Sequence, residues 1–183
     1  MFHTILDAIR KYGSFSKVEE ADFCSLLQTR QLKSGQQLLT IGQTCQELCF
    51  LLEGSFIQLY KDDDFNEVIV NLFTAHDWVL NHASFTGQKP SLHVIEAFED
   101  STIQVINIHD LHAIIGRSPA FFTLGKILEM DNDFTNPKLT PDEKYALLLD
   151  RRPSVIQTFP LKYISSYLGM TPETLSRVRR RIS

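Results

Sequence analysis

Between residues 30 and 108 the sequence breaks into eight short strand-like runs, and no other stretch limits the fold as much. The runs stand at 31–33, 37–41, 47–53, 55–61, 67–73, 78–81, 92–98 and 101–108. Ser34-Gly35, Ile41-Gly42, Glu53-Gly54 and Asp62-Asp63-Asp64 separate several of them. Glycine and aspartate accept the tight backbone of a reversal, and runs this short are strand-sized rather than helix-sized. Strands so close in sequence pair with their neighbours in antiparallel fashion, so the expected product is a roll or barrel.

Helical spacing flanks this region. Phe2, Ile5, Leu6 and Ile9 predict an amphipathic helix within 2–12, and Val18, Phe23, Leu26 and Leu27 predict an inward face for a second helix over 17–27. Beyond the strands, Ser118-Pro119 is an N-cap and N1 pair opening a helix that carries Phe121, Leu124, Ile127 and Leu128. This helix is expected to stop near 131–136, before Pro137. Thr140-Pro141-Asp142-Glu143 starts another capped helix, with Tyr145, Leu148 and Leu149 expected to be buried and Pro153 within or ending it.

The last of the local patterns, 160–182, reads as two short helices joined by a tight turn. Ile164, Tyr167 and Leu168 recur at helical spacing before Gly169, a helix-terminating residue. Thr171 is then an N-cap, Pro172 sits at N1, and Glu173 lies where a carboxylate suits the helix dipole. Leu175, Val178 and Ile182 line one side of the second helix, while Glu173, Arg177 and Arg181 fall on another. A small residue at the crossing (Ser165), glycine at the turn and an apolar stripe under a polar face are what a helix-turn-helix needs. A hairpin that only packs or binds protein is the rival. It does not account for four arginines on the outer side, a residue suited to phosphates and guanine edges.

Charge divides in the same way. The chain of 183 residues carries a net −4, yet from residue 134 onward nine Lys/Arg stand against four acids, giving +5. The remainder holds nine bases and eighteen acids, giving −9, so only the tail is expected to meet a polyanion. A hydrophobic content of 43% supports a packed core, and no apolar run reaches membrane-spanning length. Cys24, Cys45 and Cys49 are an odd set without a disulfide framework, which fits a reducing cytoplasm.

With those residues in view, the segment YISSYLGMTPETLSRVRRRI resembles the recognition end of the Crp/Fnr superfamily of bacterial transcription regulators, its Glu173 to Arg177 core above all. The run FLLEGSFIQLY, with Gly35 and Gly42, resembles the β-roll of that family. The resemblance implies an α+β chain: a cyclic-nucleotide-binding-like antiparallel β-roll (jelly roll) with flanking helices, a central dimer helix, and an all-α helix-turn-helix domain. It implies a sensor over 1–117, a coupling and dimerisation helix over 118–133 built on Phe121, Leu124, Ile127 and Leu128, and a DNA reader over 134–183. The central helix is expected to be a couple of turns shorter than usual, and the winged hairpin common after the recognition helix is expected to be missing. The DNA contacts would be Lys162, Thr171, Glu173, Thr174, Arg177, Arg179, Arg180 and Arg181.

The family's effector site is a loop with a Gly-Glu pair and an Arg-Ser/Thr pair. The matching stretch here offers Trp78, Leu80, Asn81, His82, Ser84, Lys89, Ser91 and His93, with Leu80 and Asn81 in the Gly-Glu slots. No arginine occurs between Arg30 and Arg117, so cyclic AMP is not the expected effector. Cys45-x-x-x-Cys49 and His109-x-x-His112 lack further ligands at zinc-site spacing, and Asp62-Asp63-Asp64 with Asn66 lacks the glycine and closing Glu of a calcium loop. Neither a metal nor a cofactor is expected. Without a phosphate-cradling loop, a nucleophile elbow or HExxH, the chain does not read as an enzyme. The expected partners are double-stranded DNA, a second copy of the chain, a small-molecule effector in the roll and RNA polymerase, with no membrane. The rival is a ligand-sensing or protein-binding module whose helix-turn-helix no longer binds DNA.

Overall fold

A computed structural model describes residues 3–128, 134 and 136–182. Eight strands form the body: β1 (Gln28–Leu32), β2 (Gln37–Leu39), β3 (Glu47–Glu53), β4 (Ser55–Lys61), β5 (Glu67–Thr74), β6 (Trp78–Val79), β7 (Val94–Ala97) and β8 (Ser101–Asn107). They make two four-stranded sheets, ordered β1-β8-β3-β6 and β2-β7-β4-β5, with every pairing antiparallel. The turn from β3 to β4 requires Gly54. Its φ is +91°, and a Cβ there would stand 2.6 Å from the Asp100 carbonyl oxygen.

Helices α1 (His3–Arg10) and α2 (Lys17–Leu26) precede the roll, and α3 (His82–Gly87) interrupts it between β6 and β7. After β8 come α4 (Ile108–Arg117) and a 3-10 helix, Pro119–Leu128. The helices α5 (Pro141–Arg151), α6 (Pro153–Thr158), α7 (Leu161–Tyr167) and α8 (Pro172–Ile182) complete the described chain. No helix among the described residues is long and apolar enough to cross a membrane.

Four local expectations are corrected. Val18 is 70% exposed, because α2 turns Phe23 inward and Glu20 toward Arg10 of α1, at 2.7 Å, which leaves Val18 on the far side. Leu149, one position past the buried Leu148, is rotated outward. The stretch 81–88 holds the short helix α3 rather than only a loop. The fourth concerns the central helix, which is 3-10 rather than α over its described length.

Phe121, Leu124 and Ile127 recur every three residues, the period of a 3-10 turn, so all three reach the same side. That side is the chain's own core. Phe121 stacks on Phe15 at 5.0 Å and on Phe23 at 6.0 Å, and Leu124 and Ile127 are buried in the same cluster. The side chains expected to face a partner copy are therefore used within the chain. Leu128 is packed against the same cluster, and Phe122, 69% exposed, points out. Residues 129–133 of the expected coupling segment lie outside the described residues.

Strands β4 and β5 are apolar on both faces, and each face meets a different layer. Phe56 and its partner Phe73 point into the roll. Ile57, Leu72, Leu59 and Ile69 point the other way, into a second core made with Tyr145, Leu148, Val155, Ile164, Tyr167, Leu168, Leu175 and Val178. The C-terminal helices thus sit directly on the outer face of the roll.

Leu72 is fully buried at that joint. Truncating it as Leu72→Ala is expected to cost about 2–5 kcal/mol. In urea, the fluorescence of Trp78, in the roll, and the helical circular dichroism should shift together. A helical transition that moves while the Trp78 transition stays put would mean that the joint carries no shared stability.

Candidate functional site

The helix-turn-helix is assembled from local hydrogen bonds. At the end of α7, Gly169 takes φ +67°, and two bonds close the turn: Met170 N–H to Ser165 O at 2.9 Å and Gly169 N–H to Ser166 O at 3.0 Å. These are the paired bonds of a Schellman ending, which needs the left-handed residue that glycine supplies. The Thr171 hydroxyl then caps α8 by accepting from Thr174 N–H at 3.2 Å. Ser165 lies buried, its hydroxyl donating to Lys162 O at 2.9 Å, and Leu175 and Val178 are fully buried beneath α8.

Apart from Ile182, which the sequence put on the apolar side but which lies exposed at the end of α8, what remains outside is polar. Thr171, Glu173, Arg177, Arg179, Arg180, Arg181 and Lys162 are exposed, and Thr174 is half-buried. The Glu173 carboxyl is held below its ordinary range, first by its own backbone N–H, then by the Thr171 hydroxyl, with Arg177 helping. Arg181 is committed elsewhere: Nη2 and Nε donate to Asp142 at 2.5 and 3.2 Å. The eight expected contact residues thus lie on α7, on α8 and at its N-cap, and Arg181 is tied to α5.

The loop around α3 divides the expected effector residues. Asn81 caps α3, accepting from Ser84 N–H at 3.1 Å, and its amide donates to Ser91 Oγ at 2.8 Å. The Ser84 hydroxyl donates to Lys89 O at 2.5 Å and accepts from Cys45 N–H at 2.9 Å. Ser91 Oγ donates in turn to His93 O at 2.7 Å. Asn81, Ser84 and Ser91 thus hold the loop in shape.

A cavity of about 510 Å³ opens beside this loop. Trp78, Leu80, Asn81, His82 and His93 line it, whereas Ser84, Lys89 and Ser91 do not. Burial pushes the His93 imidazole down, and its Nδ1 lies 3.1 Å from Gln58 Nε2. Other lining residues were not anticipated: Lys11 and Tyr12 from the turn after α1, Lys126 and Ile127 from the 3-10 helix, and Arg152 and Tyr167 from the C-terminal unit. No local pattern marks them, because each reaches the cavity only once its element has docked. Among the described residues no group of three or more His, Cys, Asp or Glu is placed to hold a metal ion.

One wall of the cavity is the joint itself. Arg152 Nη2 donates to Asp77 Oδ2 and to Leu72 O, both at 2.6 Å, and Nη1 to the Tyr167 hydroxyl at 3.4 Å. Burial raises the pKa of the Tyr167 phenol against the pull of Arg152. Thr74 Oγ1 and Ser154 Oγ stand 3.0 Å apart, and Ile69 N–H donates to Ser166 Oγ at 2.9 Å. The β5–β6 corner is therefore tied to α6 through Thr74 and Ser154, and β5 to α7 through Ile69 and Ser166, while Arg152, Asp77 and Tyr167 are the members of this joint that line the cavity.

Residues 29–118 match the model of the cyclic nucleotide-binding domain family. No curated protein matches the chain. Among solved structures it is similar to FixK2 from Bradyrhizobium japonicum, with a TM-score of 0.67 and 16% identity over 85% of this chain and 84% of that one. It is also similar to a mutant of CooA from Carboxydothermus hydrogenoformans, with a TM-score of 0.62 and 17% identity over 92% and 79%. A Crp/Fnr family transcriptional regulator from Eubacterium rectale gives 0.60 and 18% over 92% and 83%. At such identities the likeness is one of fold. Residues 29–118 thus match a cyclic nucleotide-binding domain, in a chain that shares the fold of Crp/Fnr regulators.

Proposed function

We propose that the chain is a Crp/Fnr-type transcription regulator that binds double-stranded DNA through α8 as a homodimer, under control of an effector in the cavity. Residues 1–117 would sense, 118–133 couple, and 134–183 read DNA. The observation that carries this reading is α8: a capped helix after a Schellman turn, apolar below and basic above, on a body of opposite charge. A bare helical hairpin has no need of an exposed arginine face.

Glu173 and Arg177 stand one turn apart in the first half of α8, the part that enters a major groove most deeply. Arginine can bond O6 and N7 of guanine together, and glutamate can accept from cytosine N4. Arg179, Arg180, Arg181 and Lys162 would meet phosphates, Arg181 by trading Asp142 for one. Arg177→Ala is expected to cost about 1–3 kcal/mol on the true site and to flatten preference at one base pair. Arg180→Ala should weaken all sequences alike and lower the salt slope by about one. Binding-site selection with the Arg177→Ala protein decides the assignment, since an unchanged consensus removes Arg177 from the base-reading set.

Two recognition helices on half-sites about 34–36 Å apart require two copies of the chain. Phe121, Leu124 and Ile127 cannot serve both the core and a partner, so the apolar residue this element leaves for an interface is Phe122. Light scattering at micromolar concentration should give about twice the chain mass. A monomer, both free and on DNA, would remove the dimer from this account.

The family's phosphate-binding arginine and its Gly-Glu pair have no counterpart in the loop, and Lys89 lies off the cavity wall. Calorimetry with cyclic AMP or cyclic GMP is expected to show no binding below millimolar nucleotide. Micromolar binding would show that other groups replace the missing arginine.

A further inference from the structure

The cavity draws its cations from outside the roll. Lys11 stands just past the end of α1, Lys126 on the 3-10 helix and Arg152 at the junction of α5 and α6, while Asp77 is the one acid on the described wall. Lys11 and Lys126 have no ion-pair partner among the described residues. Around these charges the wall is mixed: Phe73, Trp78, Leu80 and Ile127 form a buried apolar patch, and Gln58, Asn71, Asn81 and His93 are polar. Two cations in excess beside low-dielectric walls favour an anion. The apolar patch favours a ligand with an apolar portion to cover it, because hydroxyls placed against it would be left unpaired. The volume lies in the usual range for small-molecule sites.

We propose that this cavity takes a small organic anion, an acidic head on an aromatic or branched apolar body, and that Arg152 holds the head in exchange for Asp77. The inference rests on the reading of the cavity as the effector site. The exchange strands neither charge. Asp77 keeps the Thr74 N–H at 2.8 Å and its hydroxyl at 3.3 Å, and Arg152 keeps the Leu72 carbonyl at 2.6 Å. Because Arg152 belongs to the C-terminal helices and Asp77 to the roll, an occupied cavity replaces a contact between the two units. Ligand and DNA affinities are then linked, each changing the other by the same factor.

The probe is 8-anilino-1-naphthalenesulfonate, with N-phenyl-1-naphthylamine as its neutral counterpart lacking only the sulfonate. Trp78, the one tryptophan of the chain, lines the cavity, so quenching of its emission reports binding there. The sulfonate is expected to bind roughly tenfold or more tightly than the neutral compound, the effect of a charge-assisted hydrogen bond. Arg152→Gln and Lys126→Gln should each weaken the sulfonate and leave the neutral compound unmoved, whereas Asp77→Asn, by removing the competitor, should tighten it. Excess cyclic AMP should not displace it. Equal binding of the two compounds, or a sulfonate affinity indifferent to the substitutions, overturns the proposal. Should Arg152→Gln fail to fold by circular dichroism, Lys126→Gln at an exposed position and the opposite sign of Asp77→Asn still decide. A gel shift on the same samples separates the two readings. Cation-dependent probe binding without DNA binding overturns the regulator and keeps the site, and DNA binding with cation-independent probe binding overturns the site alone.

Discussion

The burial of Ile57, Leu59, Ile69 and Leu72 under the C-terminal helices is the contact on which the rest of the molecule depends. A sheet face carrying four large apolar side chains is unstable in water, and the helix-turn-helix supplies the apolar cover. The cover also resolves an edge. β5 is the outermost strand of its sheet, and Ile69, one of its residues, has its N–H taken up by Ser166 Oγ. Arg152, placed by Pro153 at the start of α6, then reaches back to Asp77 and Leu72.

From that joint follows the placement of charge. With the apolar sides of α7 and α8 turned to the shared core, the Glu173, Arg177 and Arg180 side must face solvent. The same docking carries Arg152 and Tyr167 to the cavity wall and makes the cavity a three-way junction of the roll, α1 with the 3-10 helix, and the C-terminal unit. A molecule bound there meets both units at once, which a cavity enclosed by the roll alone would not permit.

Particular residues show how far the chain could be read before folding. Seven of the eight strands lie within two residues of where alternation and turn residues put them, whereas β1 begins at Gln28, three residues before the run read at 31–33. The Thr140–Glu143 cap and the turn at Gly169 lie where Thr, Glu and Gly put them, and the Ser16–Glu19 capping box forms as well, unread beforehand. The loop was harder. Trp78, Leu80, His82 and His93 do reach the cavity, but Ser84 and Ser91 do not, because their hydroxyls meet Cys45, Lys89, Asn81 and His93 as the loop closes.

The strand pattern, the helix-turn-helix and the divided charge were determined by the sequence alone, since each rests on groups within a few residues of one another. Tertiary structure decided the rest. The face of Val18, the core role of Phe121, Leu124 and Ile127, and the meeting of Lys11, Lys126, Asp77 and Arg152 depend on which surfaces dock. Docking is governed by apolar area, which is non-directional. The side chains it brings together therefore leave no periodic trace along the chain.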